Sequence, residues 1–142
     1  MNSECVFCKI VAGTIPAVRV YEDAETLAFL DIAPVVKGHT LVIPRAHYPD
    51  LMATPAPLLE RLIGVVQRIA AAQIRGLKAE GINVTQANGR LAGQVIPHIH
   101  FHVIPRFPED GHSFNWKPRK YERQEEMEQF AAGIKAALSG GA

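Results

Sequence analysis

The sequence predicts an α+β domain that combines a five-stranded antiparallel sheet with two helices. Short β-prone runs separated by turn residues fill the first third of the chain, and apolar residues at helical spacing follow them. A strand-loop-strand pattern then carries three alternating histidines. With 142 residues and 48% hydrophobic side chains, the chain has the size of a single domain with its own core.

The first three strands are predicted to form an antiparallel meander. Residues 18–21, 27–30 and 40–43 are rich in β-branched and apolar side chains, and turn residues and charges separate them. Connections this short join neighbouring strands most simply by hairpins.

A long amphipathic helix is predicted next, over residues 55–75. Thr54 and Pro55 are typical of a helix cap and first turn. Apolar residues then recur on one helical face, namely Leu58, Leu62, Val65, Val66 and Ile69.

The remaining two strands are predicted at residues 82–86 and 95–104, joined by the loop 88–94 into a hairpin. In an extended strand alternate side chains share a face, so His98, His100 and His102 are expected on one face and apolar residues on the other. The tail over residues 107–121 is predicted to be irregular. A second helix is indicated by Met127, Phe130, Ile134 and Leu138.

Composition limits the classes of partner. The net charge is +1, from 15 basic and 14 acidic side chains, so we expect neither nucleic-acid nor membrane binding. The chain has no apolar run of the roughly 18 residues that cross a bilayer and no signal-peptide pattern at its start. We therefore predict a cytoplasmic protein with reduced cysteines.

The three histidines admit two kinds of catalysis. In the first, a neutral imidazole attacks phosphorus while its neighbours stabilise charge, and the central His100 is best placed for this role. In the second, the three histidines bind a catalytic zinc ion that keeps a water position open. A nucleotide-binding interaction protein with little turnover is the third hypothesis.

The loop before the last strand is a candidate phosphate site. Gly89 and Gly93 permit backbone geometries in which N–H groups converge on an anion, and Asn88 and Gln94 offer side-chain donors. Taken alone, such glycine pairs are more typical of plain turns. Their position next to the histidines favours the phosphate site.

These residues lie within a longer resemblance. Residues 93–106 read Gly-Gln-Val-Ile-Pro-His-Ile-His-Phe-His-Val-Ile-Pro-Arg, and characteristic stretches also occur at 5–13, 28–34 and 38–44. Over residues 4–106 the chain resembles the histidine triad (HIT) superfamily, in particular the bacterial branch related to Hint-type purine nucleoside phosphoramidases. The resemblance implies one HIT domain over 1–142, with 107–142 as tail and C-terminal helix. It also implies a homodimer that joins two sheets and pairs the helix of residues 55–75 with its mate.

The resemblance implies a role for each triad residue. His100 matches the nucleophile that forms a nucleotidyl-histidine, and the carbonyl of His98 would orient its ring. His102 matches the residue that helps to bind the phosphate and handle the leaving group. The substrate would be a purine nucleotide phosphoramidate or a dinucleoside polyphosphate, and no metal would be needed for the chemistry itself.

The resemblance also implies a nucleoside pocket. Asp31 matches the carboxylate that pairs with ribose hydroxyls, a use suited to an acceptor-only group. His39 matches a fourth family histidine, for which we predict a buried, hydrogen-bonded position. The matching apolar walls, which spacing alone would assign to the core, are Phe7, Ile10, Phe29 and Ile32.

Two departures from the family pattern affect the phosphate site. Ala87 stands where the family usually has an amide, and Asn88 follows one position later. Val95 stands where many members have Ser or Thr, so only its backbone N–H is available to the phosphate.

The pair Cys5-x-x-Cys8 has the short spacing of a zinc knuckle. By resemblance to zinc-containing relatives, His47 and His98 complete the ligands of a structural zinc ion. Two reduced thiols packed without metal are the alternative, because two cysteines specify a metal only weakly.

Overall fold

The computed structural model describes residues 2–140, in which a single sheet and three α-helices are found. In chain order the elements are α1 Val6–Ala12, β1 Arg19–Glu22, β2 Thr26–Leu30, β3 Thr40–Pro44, α2 Ala56–Leu77, β4 Gly81–Thr85, a 3₁₀ turn Arg90–Ala92, β5 Phe101–Arg106 and α3 Gln124–Ser139. The two predicted helices, now α2 and α3, are confirmed.

The five strands form one antiparallel sheet in the order β1-β2-β3-β5-β4. The predicted meander is therefore confirmed, as is the hairpin of β4 and β5, in which Gly81 pairs with Arg106 and Thr85 with His102. Because β5 lies between β3 and β4, His102, which is part of β5, occupies an inner position of the sheet.

The helix α1 was not predicted, since the sequence indicated only a cysteine knuckle there. Cys5 caps the helix through its Sγ, which accepts the Cys8 N–H at 3.4 Å. Gly13 ends it with a left-handed φ of 81°, a conformation that suits glycine. A helix of seven residues spans only two turns, too few for apolar periodicity to distinguish it from a loop.

The sheet is apolar on both faces, each covered by a helix. One face packs against α2 through Leu62, Val66 and Ile69. The other packs against α1 through Phe7, Cys8 and Ile10. Alternate residues of the strands divide between the faces, since Ala28 and Val42 belong to the first core and Leu27, Phe29, Leu41 and Ile43 to the second.

The start of α2 differs from the predicted cap. Pro55 is the N-cap residue, and no side chain caps the helix there. The hydroxyl of Thr54 instead donates to the carbonyl of Asp50 at 2.6 Å. Thr54 thus closes the turn before the helix, and α2 continues to Leu77, two residues beyond the predicted end.

The last strand is shorter than predicted, because β5 begins at Phe101 and not at Val95. Pro97 has no N–H to give to a ladder, and the N–H of Ile99 donates to the carbonyl of Tyr48, in the loop after β3, at 2.8 Å. His98 and His100 therefore precede the strand. The predicted alternation still holds, since Ile99, Phe101 and Val103 are all in the α2 core.

The chain divides into two compact units between His112 and Ser113. The second unit contains α3, whose apolar residues Met127, Phe130, Ile134 and Leu138 are exposed. One domain over 1–142 stays a prediction, and its residues Met1, Gly141 and Ala142 lie outside the described residues. Within residues 2–140, none of the helices has the length and apolar character that a bilayer span requires.

Candidate active site

The ring of His100 is held by the backbone of its own segment. Its Nδ1 lies 2.8 Å from the carbonyl oxygen of His98, the contact expected from the sequence. Because a carbonyl only accepts, Nδ1 carries the proton and the neutral ring keeps a lone pair on Nε2. Burial lowers the pKa of His100, although the bond to His98 and the charge of Asp31 oppose this effect. The geometry and the lowered pKa both favour a neutral, nucleophilic imidazole.

His102 lies beside His100, with ring centroids 4.9 Å apart. Its Nδ1 is 2.8 Å from Nε2 of His39, which is itself buried with 3% of its surface exposed. The buried, hydrogen-bonded position predicted for His39 is thus present. Burial, followed by the neighbouring His100 and His39, lowers the pKa of His102 to about 4. His102 is therefore neutral around pH 7.

Asp31, His39 and His102 form a group that we call the Asp/His cluster, with one potential ligand atom from each residue within 4.8 Å of the others. The Oδ2 of Asp31 is 3.7 Å from Nε2 of His39, and its Oδ1 accepts the N–H of Ala33 at 2.9 Å. Asp31 is half-buried, so its carboxylate keeps one accessible side.

His98 belongs to a different group, the Cys/His cluster of Cys5, Cys8, His47 and His98, whose potential ligand atoms also lie within 4.8 Å of one another. The Nδ1 of His98 is 3.4 Å from Sγ of Cys5, 3.6 Å from Sγ of Cys8 and 3.2 Å from Nδ1 of His47. The Sγ of Cys8 is 3.4 Å from Nδ1 of His47.

These distances fit a tetrahedral zinc ion. Zinc bonds of about 2.0 Å to nitrogen and about 2.3 Å to sulfur place two nitrogens about 3.3 Å apart and a nitrogen and a sulfur about 3.5 Å apart. The Nε2 of His98 lies 2.9 Å from the carbonyl oxygen of Pro44 and so carries the proton. Nδ1 of His98 is then free to bind a metal. Burial raises the pKa of the Cys5 thiol, and a bound cation would offset this cost by stabilising the thiolate.

The three histidines of the alternating motif do not converge on one point. His98 faces the cysteines, His100 bonds to a backbone carbonyl, and His102 bonds to His39. Among residues 2–140, neither group with metal-binding geometry contains more than one of the three. This arrangement does not support the three-histidine zinc site considered from the sequence.

The glycine loop uses most of its donors internally. The N–H of Gly89 donates to Oε1 of Gln94, and the N–H groups of Gly93 and Gln94 donate to Arg90 and Gly89. The Oδ1 of Asn88 accepts the N–H of Leu51 at 2.8 Å, so this side chain anchors the loop. Within the part of the chain that the structure describes, the N–H of Val95 has no acceptor, and its side chain is largely exposed. Among Gly89, Gly93, Gln94 and Val95, only Val95 therefore has a backbone N–H without a partner within residues 2–140, and a phosphate site there stays a prediction.

The predicted apolar walls divide into two kinds. Phe7, Ile10 and Phe29 are buried in the α1 core, while Ile32 is fully exposed. Phe7 contacts the rings of His98 and His100 edge-on, with centroids 5.7 and 5.1 Å away. Phe7 therefore packs against the His100 ring, a contact that sequence spacing does not reveal.

Two backbone groups were missed entirely by sequence reasoning. The carbonyl of Pro44 sets the proton position of His98, and the N–H of Val35 donates to Nδ1 of His39 at 3.1 Å. Such partners leave no residue-type signal, because every residue carries a carbonyl and every residue except proline an N–H.

Comparison with known proteins identifies the family. The HIT domain profile matches residues 12–109. The protein named Protein hit from Bacillus subtilis is 39% identical over 137 residues, covering 95% of this chain and 94% of its own length. Adenosine 5'-monophosphoramidase HNT1 from Candida albicans is 39% identical over 109 residues, covering 74% and 72%. Adenylylsulfatase HINT3 from Arabidopsis thaliana is 40% identical over 110 residues, covering 78% and 56%.

Solved structures agree with this result. A HIT family crystal structure from Bacillus subtilis matches with a TM-score of 0.88 at 39% identity, covering 94% of this chain and 96% of that one. A zinc-bound histidine triad family protein from Mycobacterium smegmatis matches with a TM-score of 0.74 at 43% identity, covering 94% and 96%. The family thus includes hydrolases that act on nucleotides, and the chain described here belongs to the HIT family.

Proposed function

We propose that this protein is a nucleotidyl hydrolase or transferase that cleaves the α-phosphate bond of a purine nucleotide. The leaving group would be an amine, a phosphate or a second nucleotide, and His100 would form a nucleotidyl-histidine that water then cleaves. The observation that carries the proposal is the hydrogen bond from Nδ1 of His100 to the carbonyl of His98, which leaves the Nε2 lone pair free. The names of two relatives, a monophosphoramidase and an adenylylsulfatase, support the same reaction class.

Trapping the intermediate tests this proposal. Protein mixed with adenine-labelled adenosine phosphoramidate and quenched in base is expected to carry acid-labile label on His100, and His100→Ala is expected to carry none. His112→Ala, a matched histidine change outside the site, serves as the control. An active enzyme without label that chelators inactivate would favour a zinc hydrolase instead. A His100→Ala protein that binds a purine monophosphate and keeps its cellular role would favour an interaction protein.

The substrate class is proposed at the level of chemistry. Adenosine phosphoramidate and diadenosine tetraphosphate differ only in the group that leaves, so the ratio of their kcat/KM values separates the two branches of the proposal. The carboxylate of Asp31 is proposed to bind the ribose hydroxyls. Asp31→Asn is expected to weaken AMP binding by about tenfold, since one charged hydrogen bond contributes about 1.5 kcal/mol or more. Binding of 2',3'-dideoxy-AMP, which lacks both ribose hydroxyls, should weaken much less.

A structural zinc ion is proposed for the Cys/His cluster, supported by the ligand distances, by the free Nδ1 of His98 and by the zinc-bound relative. Zinc there would fix the segment that holds His100 and would take no part in the reaction. Thiolate ligands require reduced cysteines, which fits the predicted cytoplasmic location.

A homodimer is proposed because one side of the first unit combines a sheet edge with exposed apolar residues. Strand β4 is an edge strand, and its Val84 is 46% exposed. On α2, Ile63, Ile74 and Leu77 are each about half exposed. Light scattering is expected to give a dimer mass that Ile74→Glu reduces. Val18→Glu changes an exposed valine just before β1, the opposite edge strand, and is expected to leave the mass unchanged.

A further inference from the structure

A chain of hydrogen bonds fixes the proton positions of two histidines in the Asp/His cluster. The N–H of Val35 donates to Nδ1 of His39 at 3.1 Å, so this nitrogen carries no proton. Neutral His39 must then carry its proton on Nε2, which lies 2.8 Å from Nδ1 of His102. His102 accepts there, and its own proton must be on Nε2.

We propose that His39 is a positioning residue that keeps His102 neutral with its proton on Nε2. In the reaction described under the proposed function, on which this inference rests, His102 then donates a hydrogen bond to a phosphoryl oxygen and is not the acid that protonates the leaving group. The leaving groups this protein handles are those that need no proton from the enzyme.

The hydrogen bonds disfavour a cationic His102. An acid would carry protons on both nitrogens, and its Nδ1–H would point at the Nε2–H of His39. His39 would have to move its proton to Nδ1, where the N–H of Val35 already donates. His39 is 97% buried, so water does not replace the broken bonds. The other charged or titratable neighbours are Asp31, at 3.7 Å from Nε2 of His39, and the His100 ring.

The lowered pKa values of His39 and His102 agree with this geometry. Burial is the largest cause for both residues, and it outweighs the opposing charge of Asp31. The same proton positions disfavour a metal at the Asp/His cluster, because a protonated Nε2 of His39 has no lone pair to offer.

The proposed reaction needs no side chain of the protein as a proton donor. The Nε2 lone pair of His100 forms the bond to phosphorus as the bond to the leaving atom breaks and its electron pair stays on that atom. An amine leaves on a nitrogen that has first taken a proton from a solvent hydronium ion, and a phosphate or a second nucleotide leaves as an anion. Water then attacks phosphorus, the electron pair returns to His100, and the water proton passes to solvent. His102 keeps its proton throughout.

Proton positions can be read directly by NMR. In the protein labelled with ¹⁵N-histidine, two-bond ¹⁵N–¹H correlations at pH 7 are expected to give protonated Nε2 and unprotonated Nδ1 for both His39 and His102. A cationic His102, or one protonated on Nδ1, would overturn the inference. This measurement uses the wild-type protein, so it does not depend on the folding of a variant.

Variants at His39 test the positioning role. His39→Gln keeps an N–H donor toward His102, and kcat/KM is expected to stay within about threefold of wild type. His39→Leu removes the donor, and we expect a mixture of His102 proton positions and about a tenfold loss of kcat/KM, the factor that one hydrogen bond contributes. Equal losses in both variants, or an unchanged His102 signal in His39→Leu, would contradict the role.

Substrates with different leaving groups show whether His102 acts as a hydrogen-bond donor or as an acid. For adenylates with leaving groups of increasing basicity, His102→Gln is expected to lower kcat/KM by a constant factor, on the order of a hundredfold for a lost phosphoryl-oxygen donor. A loss that grows with the basicity of the leaving group would show that His102 is the acid. Absence of turnover in wild-type protein would instead overturn the proposed function, while the NMR result would still decide the hydrogen-bond chain.

Discussion

The Cys/His cluster and the Asp/His cluster both contain buried histidines, but the histidine rings carry their protons on opposite sides relative to the cluster. Both bring potential metal ligands within 4.8 Å, and both take histidines from the same alternating motif. In the first, the carbonyl of Pro44 holds the proton of His98 on the far nitrogen, so the nitrogen facing the cluster has a lone pair. In the second, the N–H of Val35 occupies the far nitrogen of His39, so the nitrogen facing the cluster has the proton.

The comparison shows that a backbone partner decides what a buried histidine does. A carbonyl on the far nitrogen leaves a lone pair on the other one, as a metal ligand or, in the role proposed for His100, a nucleophile requires, whereas an N–H there leaves a donor. Proximity of ligand atoms alone does not distinguish a metal ligand from a donor. The two are distinguished by whether the nitrogen that faces the cluster carries a proton.

The largest effect is expected from removing a ligand of the Cys/His cluster. Cys8→Ala should reduce bound zinc from about one ion per chain to near zero and lower Tm by roughly 10 °C or more, because several kcal/mol of metal binding are coupled to folding. Metal analysis and calorimetry measure both quantities.

The matched control lies in the other cluster. Asp31→Asn should leave the zinc content unchanged, because that cluster is not expected to bind the ion. Zinc lost with Asp31→Asn, or retained in full with Cys8→Ala, would contradict the distinction between the two clusters.

A smaller effect is expected at Gly38, the residue that leads into His39. Its φ is +100°, and an added Cβ would lie 2.9 Å from Cδ1 of Leu77 and 3.0 Å from Cγ of Pro105. Gly38→Ala should therefore reduce the free energy of unfolding by about 2 to 3 kcal/mol through backbone strain and crowding. Chemical denaturation measures this change.

Gly13→Ala separates strain from crowding. Gly13 also has a positive φ, of +81°, in the left-handed region, but an added Cβ would have no neighbour within 4 Å. Its substitution should cost only the strain, about 1 kcal/mol. Equal losses at the two glycines would mean that the contacts of Gly38 with α2 and β5 do not matter to stability.

The sequence predicted the sheet well because its signals are periodic. Alternation placed Ile99, Phe101 and Val103 in one core, and helical spacing located α2 within two residues at its end. The helix α1 has too few turns to show a period, and the start of β5 depends on which carbonyl the N–H of Ile99 meets. Such boundaries are set by tertiary contacts.

The sequence predicted which residues lie together in the two clusters, but it did not predict which ring nitrogens carry protons. The resemblance grouped Cys5, Cys8, His47 and His98, and their potential ligand atoms lie within 4.8 Å of one another. The internal hydrogen bonds of the Gly89 to Gln94 loop were not foreseen, because glycine spacing indicates flexibility and not which donors stay free. The partners of His39 and His98 are backbone atoms, which the sequence does not distinguish.

The smallest effect is expected in the pH dependence of stability, and it concerns the Asp/His cluster alone. An unfolded chain protonates His102 near pH 6.5, whereas burial, His100 and His39 hold its folded pKa at about 4. Stability from this group is therefore complete above pH 6.5 and is lost as the pH falls toward 4, because only the unfolded state then takes up the proton. Between pH 7.5 and 5, His102 should contribute a loss of about 1 to 2 kcal/mol in the free energy of unfolding.

The variant His102→Gln tests this contribution, because glutamine keeps an acceptor for His39 but does not titrate. Over the same pH range it should lose less stability than wild type, by about 1 to 2 kcal/mol in urea unfolding. Because these proton positions come from hydrogen bonds and burial, and not from a metal, the difference should persist after chelation. If the difference between wild type and His102→Gln disappears when zinc is removed, the two clusters are coupled and not separate.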